Sequence, residues 1–129
     1  MADINIISGI PDGFSQQDKE CVDKIFGALG LALRARKLVC GRELCIEQMK
    51  KGKAVMAFFP EDVSENARKE MLHAFDKSST PYIALPVKMA DMSKRLGKTS
   101  SVSCAVITEN GFDKIIYKLL GVSPIQSHD

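Results

Sequence analysis

Six apolar residues in a row, AVMAFF at positions 54–59, limit what this chain can fold into more than any other stretch. The run is too short for an ordinary helix and shows no polar alternation, so it suits a β-strand buried on both faces. Pro60 follows directly and is expected to stop it. A strand with no solvent face needs a covering layer on each side, which predicts a sheet with helices above and below.

The flanking patterns supply those layers. Val22, Ile25, Phe26, Leu29 and Leu33 fall on one helical stripe and predict a helix over about 17–36. Gly27 and Gly30 inside it lower its intrinsic stability by about 1 kcal/mol each, which points to close packing. Leu38–Cys40 reads as a short strand, and 41–51 as a helix closed by Gly52. Ser64 is the expected cap of a helix over 64–75, with Ala67, Met71, Leu72 and Phe75 inward and His73 at the surface. PYIALPV (81–87) and VSCAVIT (102–108) read as the third and fourth strands, and MADMSKRLG (89–97) as a short helix. Asn110 is the expected cap of a closing helix over 110–121, with Phe112, Ile115, Ile116, Leu119 and Leu120 facing inward. The alternation gives an α/β domain built on one four-stranded sheet. Residues 20–122 are expected to form that single domain. Residues 1–19 are read as a flexible extension, where INIISGI is broken at Gly9 and Pro11, and 123–129 as a patternless tail.

With 129 residues, 45% of them apolar and 26% charged, the chain has the length and composition of one ordinary globular domain. No run approaches the roughly 20 apolar residues of a membrane span. The first residues carry acids in place of a basic leader, so a cytoplasmic location is expected. The net charge of +2 is unevenly spread. Residues 1–20 hold Asp3, Asp12, Asp18 and Glu20 against Lys19. Residues 34–53 hold seven bases (Arg34, Arg36, Lys37, Arg42, Lys50, Lys51, Lys53) against Glu43 and Glu47, a local excess of +5. Such a basic segment is an electrostatic footprint for nucleic acid. Cys21, Cys40, Cys45 and Cys104 form no Cys-x-x-Cys pair, and His73 and His128 stand apart from them, so they are read as small buried apolar residues and no metal is expected.

Catalytic signatures are missing. The chain has no Gly-x-Gly-x-x-Gly, no phosphate-loop Gly-Lys-Ser/Thr and no Gly-x-Ser-x-Gly elbow. Glu61 and Asp62 sit between a strand and a helix, where they are expected to favour the positive end of the helix begun at Ser64. The reading is a non-enzymatic protein without cofactor. With no tryptophan and two tyrosines, no aromatic platform for stacking unpaired bases stands out.

The organising stretch is Leu29 to Glu47, LGLALRARKLVCGRELCIE. Gly41 opens its second helix, and a glycine at a helix mouth allows another backbone to approach while the unpaired N–H groups attract anions, phosphate above all. From here LGLALRARKLVCGRELCIEQMKKGKAVMAFFPEDVSENARKEM, followed by STPYIALPVK, RLGK and SVSCAVITENGFDKIIYKLL, resembles the bacterial YlxQ-type ribosomal-protein-like proteins, within the large ribosomal-protein family that binds kink-turn RNA. The resemblance covers about residues 27–120. It implies a three-layer α/β/α sandwich with a four-stranded mixed sheet, and structured, kink-turn-like RNA as partner, ribosomal RNA included. A monomer with no small-molecule substrate and no membrane contact is expected.

The same resemblance implies where RNA is held. The family's Gly-x-Asn-Glu-x-x-Lys motif falls with its glycine on Gly41, its polar pair on Glu43 and Leu44, and its lysine on Glu47. YlxQ-type members commonly carry glutamate and leucine at the pair, whereas an acid at the lysine position replaces an attraction to phosphate with a repulsion. Arg42, Lys50 and Lys51 are expected to compensate from neighbouring turns, with Arg36 and Lys37 adding bases. The second implied contact is the loop Lys98, Thr99, Ser100, Ser101 and Val102. The alternative reading is a protein-interaction module of the same fold that has lost kink-turn recognition, motivated by Leu44 and Glu47.

Overall fold

The structure, a computed structural model, describes residues 19–120. The expected extension before Lys19, the tail 123–129 and the side chains of Cys21 and Leu120 lie outside the described residues. In chain order the elements are α1 (Lys19–Arg34), β1 (Leu38–Cys40), α2 (Arg42–Lys50), β2 (Met56–Pro60), α3 (Glu65–Ser78), β3 (Tyr82–Leu85), α4 (Met89–Arg95), β4 (Ala105–Ile107) and α5 (Phe112–Leu120). The sheet order is β1-β4-β2-β3. β4 runs antiparallel to both β1 and β2, while β2 and β3 are parallel, so the sheet is mixed.

All five residues of β2 are buried, as its apolar run requires. Its side chains alternate between two cores. Met56 and Phe58 meet Ile25 and Leu29 of α1, Met92 of α4 and Ile116 of α5. Ala57 and Phe59 meet Cys45 and Met49 of α2 and Met71 and Phe75 of α3. Period two along the strand therefore builds a three-layer α/β/α sandwich. Phe59, Phe75 and Tyr82 stack with centroids 4.7–6.0 Å apart in the second core. On the other face Arg95 fastens α4 to α1, 2.7 Å from Asp23 and 5.0 Å over the Phe26 ring.

Four local expectations are corrected. Pro60 ends β2 from inside the strand, opposite Leu85. It is tolerated because β4 pairs only as far as Phe58, which leaves Pro60 at an edge on that side. Ile115 is 41% exposed, since the adjacent Ile116 and Tyr117 take the core-facing arc of α5. The turn before α5 is closed by Asp113, whose Oδ1 accepts from Gly111 N–H at 2.9 Å, in place of a cap by Asn110. Ser64 does cap α3, accepting from Ala67 N–H at 3.2 Å. Asp62 instead serves α4, accepting from Met89 N–H at 2.7 Å, and Glu61 pairs with Lys88 at 3.3 Å. Parallel β2 and β3 set their following loops side by side, and that brings Asp62 to α4.

Truncation should separate the core from this exposed flank. Phe59→Ala is expected to cost about 3–5 kcal/mol by denaturant unfolding. Ile115→Ser should stay within about 0.5 kcal/mol of the parent, as surface changes do.

Candidate nucleic-acid interface

β1 ends at Cys40, directly opposite Ala105, where antiparallel β4 begins. The turn into α2 and the loop into β4 are therefore neighbours. Gly41 N–H closes the junction by donating to Cys104 O at 2.9 Å. Gly41 has φ 108 and ψ 132, a conformation that side chains other than glycine's rarely adopt, and this re-aims the chain into α2. The first intrahelical bond runs from Cys45 N–H to Gly41 O at 2.9 Å, so the N–H groups of Arg42, Glu43 and Leu44 precede the ladder of α2. No side chain caps them. The opening turn of α2 thus presents the partial positive charge that draws anions.

The facing loop is set by α4. Ser93 Oγ donates to Met89 O at 2.9 Å and accepts from Val102 N–H at 2.8 Å, while Lys98 N–H donates to Ser93 O at 2.9 Å. Lys98, Thr99, Ser100 and Ser101 are left exposed beside the Gly41 turn. Burial pushes the Cys40 thiol up, and the Lys98 ammonium pulls it partly back. Under the turn, Cys45 and Cys104 are fully buried together, and Cys45 Sγ donates to Val39 O at 3.3 Å.

Of the residues singled out in the sequence, Gly41, Glu43, Leu44, Lys98, Thr99, Ser100 and Ser101 converge on this end of the sheet, while Glu47 lies past the middle of α2 with its carboxylate turned towards the far end. Glu43, Leu44 and Glu47 share the solvent side of α2, with Leu44 54% exposed. Glu47 is not an isolated negative charge: its Oε2 lies 3.1 Å from Lys51 Nζ, one turn on. Arg42 leans the other way, its Nε 3.6 Å from Glu70 Oε1 of α3 and without a hydrogen bond. Val102 is 3% exposed and belongs to the core, so only its backbone shapes the loop.

Arg36, Lys37 and Lys50 do not reach the turn. Lys37 sits at the start of β1, where its carbonyl accepts from Thr108 N–H at 2.9 Å and its Nζ pairs with Glu109 at 3.1 Å. Arg36 precedes it and lies about 15 Å from Gly41 along an extended strand. Lys50 closes the nine residues of α2, about 12 Å from its start. The +5 segment is therefore not one patch, because β1 and α2 carry six of its seven bases to the opposite end of the sheet. The Cys104 carbonyl and Ser93 escaped the sequence reading, whereas Lys51, expected there to offset Glu47, does pair with it one turn on.

Comparison with known proteins is consistent with this architecture. The profile of the ribosomal protein L7Ae/L30e/S12e/Gadd45 family matches residues 23–117. The RNA-binding protein YlxQ of Bacillus subtilis (strain 168) is 34% identical over 95 residues, spanning 74% of this chain and 93% of its own length. The RNA-binding protein YlxQ of Enterococcus faecium is 36% identical over 101 residues, spanning 75% and 91%. A Bacillus halodurans protein of unknown function has a similar fold, with a TM-score of 0.67 at 20% identity over 76% of this chain and 97% of its own. A Giardia lamblia 15.5kD RNA binding protein superposes with a TM-score of 0.66 at 12% identity, over 79% of this chain and 86% of its own.

The buried thiols under the turn make a pH prediction. The contact with Cys104 and then burial both raise the Cys45 thiol above its ordinary value of 9.0. Below that value the thiol is protonated in both states. Above it the unfolded chain ionises while the folded thiol stays neutral, so stability is complete below pH 9 and falls as pH rises further. Cys45→Ala should flatten this alkaline decline in unfolding free energy measured between about pH 8 and 10.

Proposed function

The chain belongs to the ribosomal protein L7Ae/L30e/S12e/Gadd45 family, in its YlxQ-type branch, and we propose that it is a non-enzymatic RNA-binding protein that takes structured, kink-turn-like RNA at the Gly41 turn and works on ribosomal RNA. The observation that carries this reading is the Gly41–Cys104 junction, at 2.9 Å, which holds the open N-terminus of α2 against the exposed polar loop 98–101. Two backbone approaches then meet one anionic strand. The α2 N–H groups and Lys98 act on its phosphates, and small hydroxylic side chains at Thr99, Ser100 and Ser101 permit close contact. On this reading Glu43, exposed on α2, accepts from base amino groups, while Leu44 offers apolar contact only.

Leu44 also favours a second reading. An exposed leucine at the position of a polar base reader, next to a Glu47 already neutralised by Lys51, suits a surface turned towards protein partners.

Titration of a kink-turn RNA and a plain duplex of equal length, at two salt concentrations, decides between them. The RNA reading expects at least about tenfold preference for the kink and an affinity that falls with salt. Glu47→Lys should bind more tightly at low salt and steepen the salt slope by about one. Equal binding to both RNAs, unchanged by Glu47→Lys, would reject kink-turn recognition in favour of the protein-interaction reading.

A further inference from the structure

The six bases carried away from the Gly41 turn assemble at the other end of the sheet. Arg34, Arg36 and Lys37 lie where α1 passes into β1, and Lys50, Lys51 and Lys53 where α2 passes into β2. β4 brings the two turns together: Thr108 N–H donates to Lys37 O at 2.9 Å, and Val55 N–H donates to Ile107 O at 2.7 Å. β1 and β2 flank β4, so the turns stand two strand spacings apart, about 10 Å. Glu109 pairs with Lys37 and Glu47 with Lys51, each at 3.1 Å. Arg34, Arg36, Lys50 and Lys53 are exposed and make no ion pair among the described residues. Asp76 with Lys77 and Asp113 with Lys114, from the neighbouring turns, cancel one another. Six bases against two acids leave this face at +4.

Arg36 supplies an independent observation. Lys37 N–H donates to Ala32 O at 2.7 Å and Arg36 N–H to Leu33 O at 3.0 Å, the bond pair by which a helix ends on a left-handed residue. Arg36 is that residue, with φ 63. Glycine is usual there, because a Cβ makes the left-handed region costly. The fold obeys the rule after α2, where Gly52 has φ 72, and after α4, where Gly97 has φ 68; after α3 the left-handed residue is Ser79, φ 56, a small side chain where Arg36 is a long one. At the end of α1 an exposed arginine occupies the strained position, without an ion pair among the described residues to repay it. Strain of this kind marks functional positions.

We propose that this face is a second RNA contact, which grips the phosphate backbone of a duplex segment at the end of the sheet opposite the Gly41 turn, with Arg36 as its central phosphate ligand. A guanidinium meets a phosphate with two parallel N–H bonds, which an ammonium does not. A span of about 10 Å covers about six phosphate charges of a duplex. The two turns expose only Ala35 and Gly52 beside their bases, and Leu31, one helical turn before Arg34, is the one exposed large apolar side chain described on α1, too little for the apolar core of a protein interface. With Gly41 at the far end of β1, the chain joins two RNA segments.

The test uses the full chain, a fluorescently labelled 24-base-pair RNA duplex without a kink, and anisotropy titrations over a range of salt. Because the probe lacks a kink, its outcome is independent of kink-turn recognition. Arg36→Gly is expected to raise Tm by a few degrees while weakening duplex binding about threefold or more. Arg34→Gln/Arg36→Gly/Lys53→Gln should weaken it at least about tenfold and reduce the salt slope by about two to three. Unchanged duplex affinity and slope in the triple variant would overturn the proposal. A lowered Tm for Arg36→Gly would overturn it too, by showing that the arginine is there to pack. Tighter binding to phosphatidylserine vesicles than to duplex, at equal phosphate concentration, would reassign the face to a membrane.

Discussion

β4, only three residues long, joins the two halves of the sheet. β1 pairs with it on one side and β2 on the other, through Val106 opposite both Val39 and Ala57. All three β4 residues are fully buried, with Ala105 and Ile107 in one core and Val106 in the other. A slip of one residue would exchange those faces and put every side chain in the wrong core. The register is thus held by packing more than by the few hydrogen bonds so short a strand can make. The chain just before β4 places the Gly41 turn through the Cys104 carbonyl, and the chain just after it places the cationic end through Thr108. Both proposed RNA contacts inherit their positions from one buried strand.

The two ends differ in the physics they offer an anion. At the Gly41 turn the attraction comes from backbone N–H groups and a helix dipole, which act within one turn and demand close approach. Side-chain charge there is sparse, because Arg42 is turned to Glu70 and Glu43 is an acid. At the other end the attraction comes from exposed side chains whose field reaches about 8–10 Å in ordinary salt. Short-range donors discriminate between shapes, whereas a patch of exposed bases holds any phosphate backbone. On the proposed reading the fold divides selection from retention and places them at opposite ends of the same strands.

Much of this fold was legible in the sequence, because periodicity reports burial. AVMAFF announced a strand with no solvent face, and the stripe through Val22, Ile25 and Leu29 announced the helix that covers it. Errors arose where a neighbour distant in sequence decided the outcome. Pro60 stays in its strand because β4 has already ended, and Asp62 caps α4 because β2 and β3 run parallel. The candidate site was legible at Gly41 and in the loop 98–101, where local geometry and the family resemblance agree. It was not legible in the charge pattern. Residues 34–53 look like one basic segment, but a strand and a helix run through it in succession and carry its bases to the far end. Only the pairing of β1 with β4 reveals that division.

Departures from local rules inform more here than agreement with them. Position 47 carries an acid where the family resemblance implies a lysine, yet Lys51 neutralises it, so that turn loses attraction without gaining a net repulsion. Position 44 carries an exposed leucine, which forms no hydrogen bonds to a base edge. Position 36 carries an arginine where the backbone favours glycine, and its charge faces solvent. On the proposed reading, the residues at 44 and 47 weaken specific reading at the Gly41 turn, and Arg36 strengthens unspecific grip at the opposite end. Each is a single residue, but they act in one direction. Strain at Arg36 would be relieved by glycine at no loss of packing, since its side chain is exposed. On the proposed reading, its retention is explained by a phosphate that only the side chain can reach.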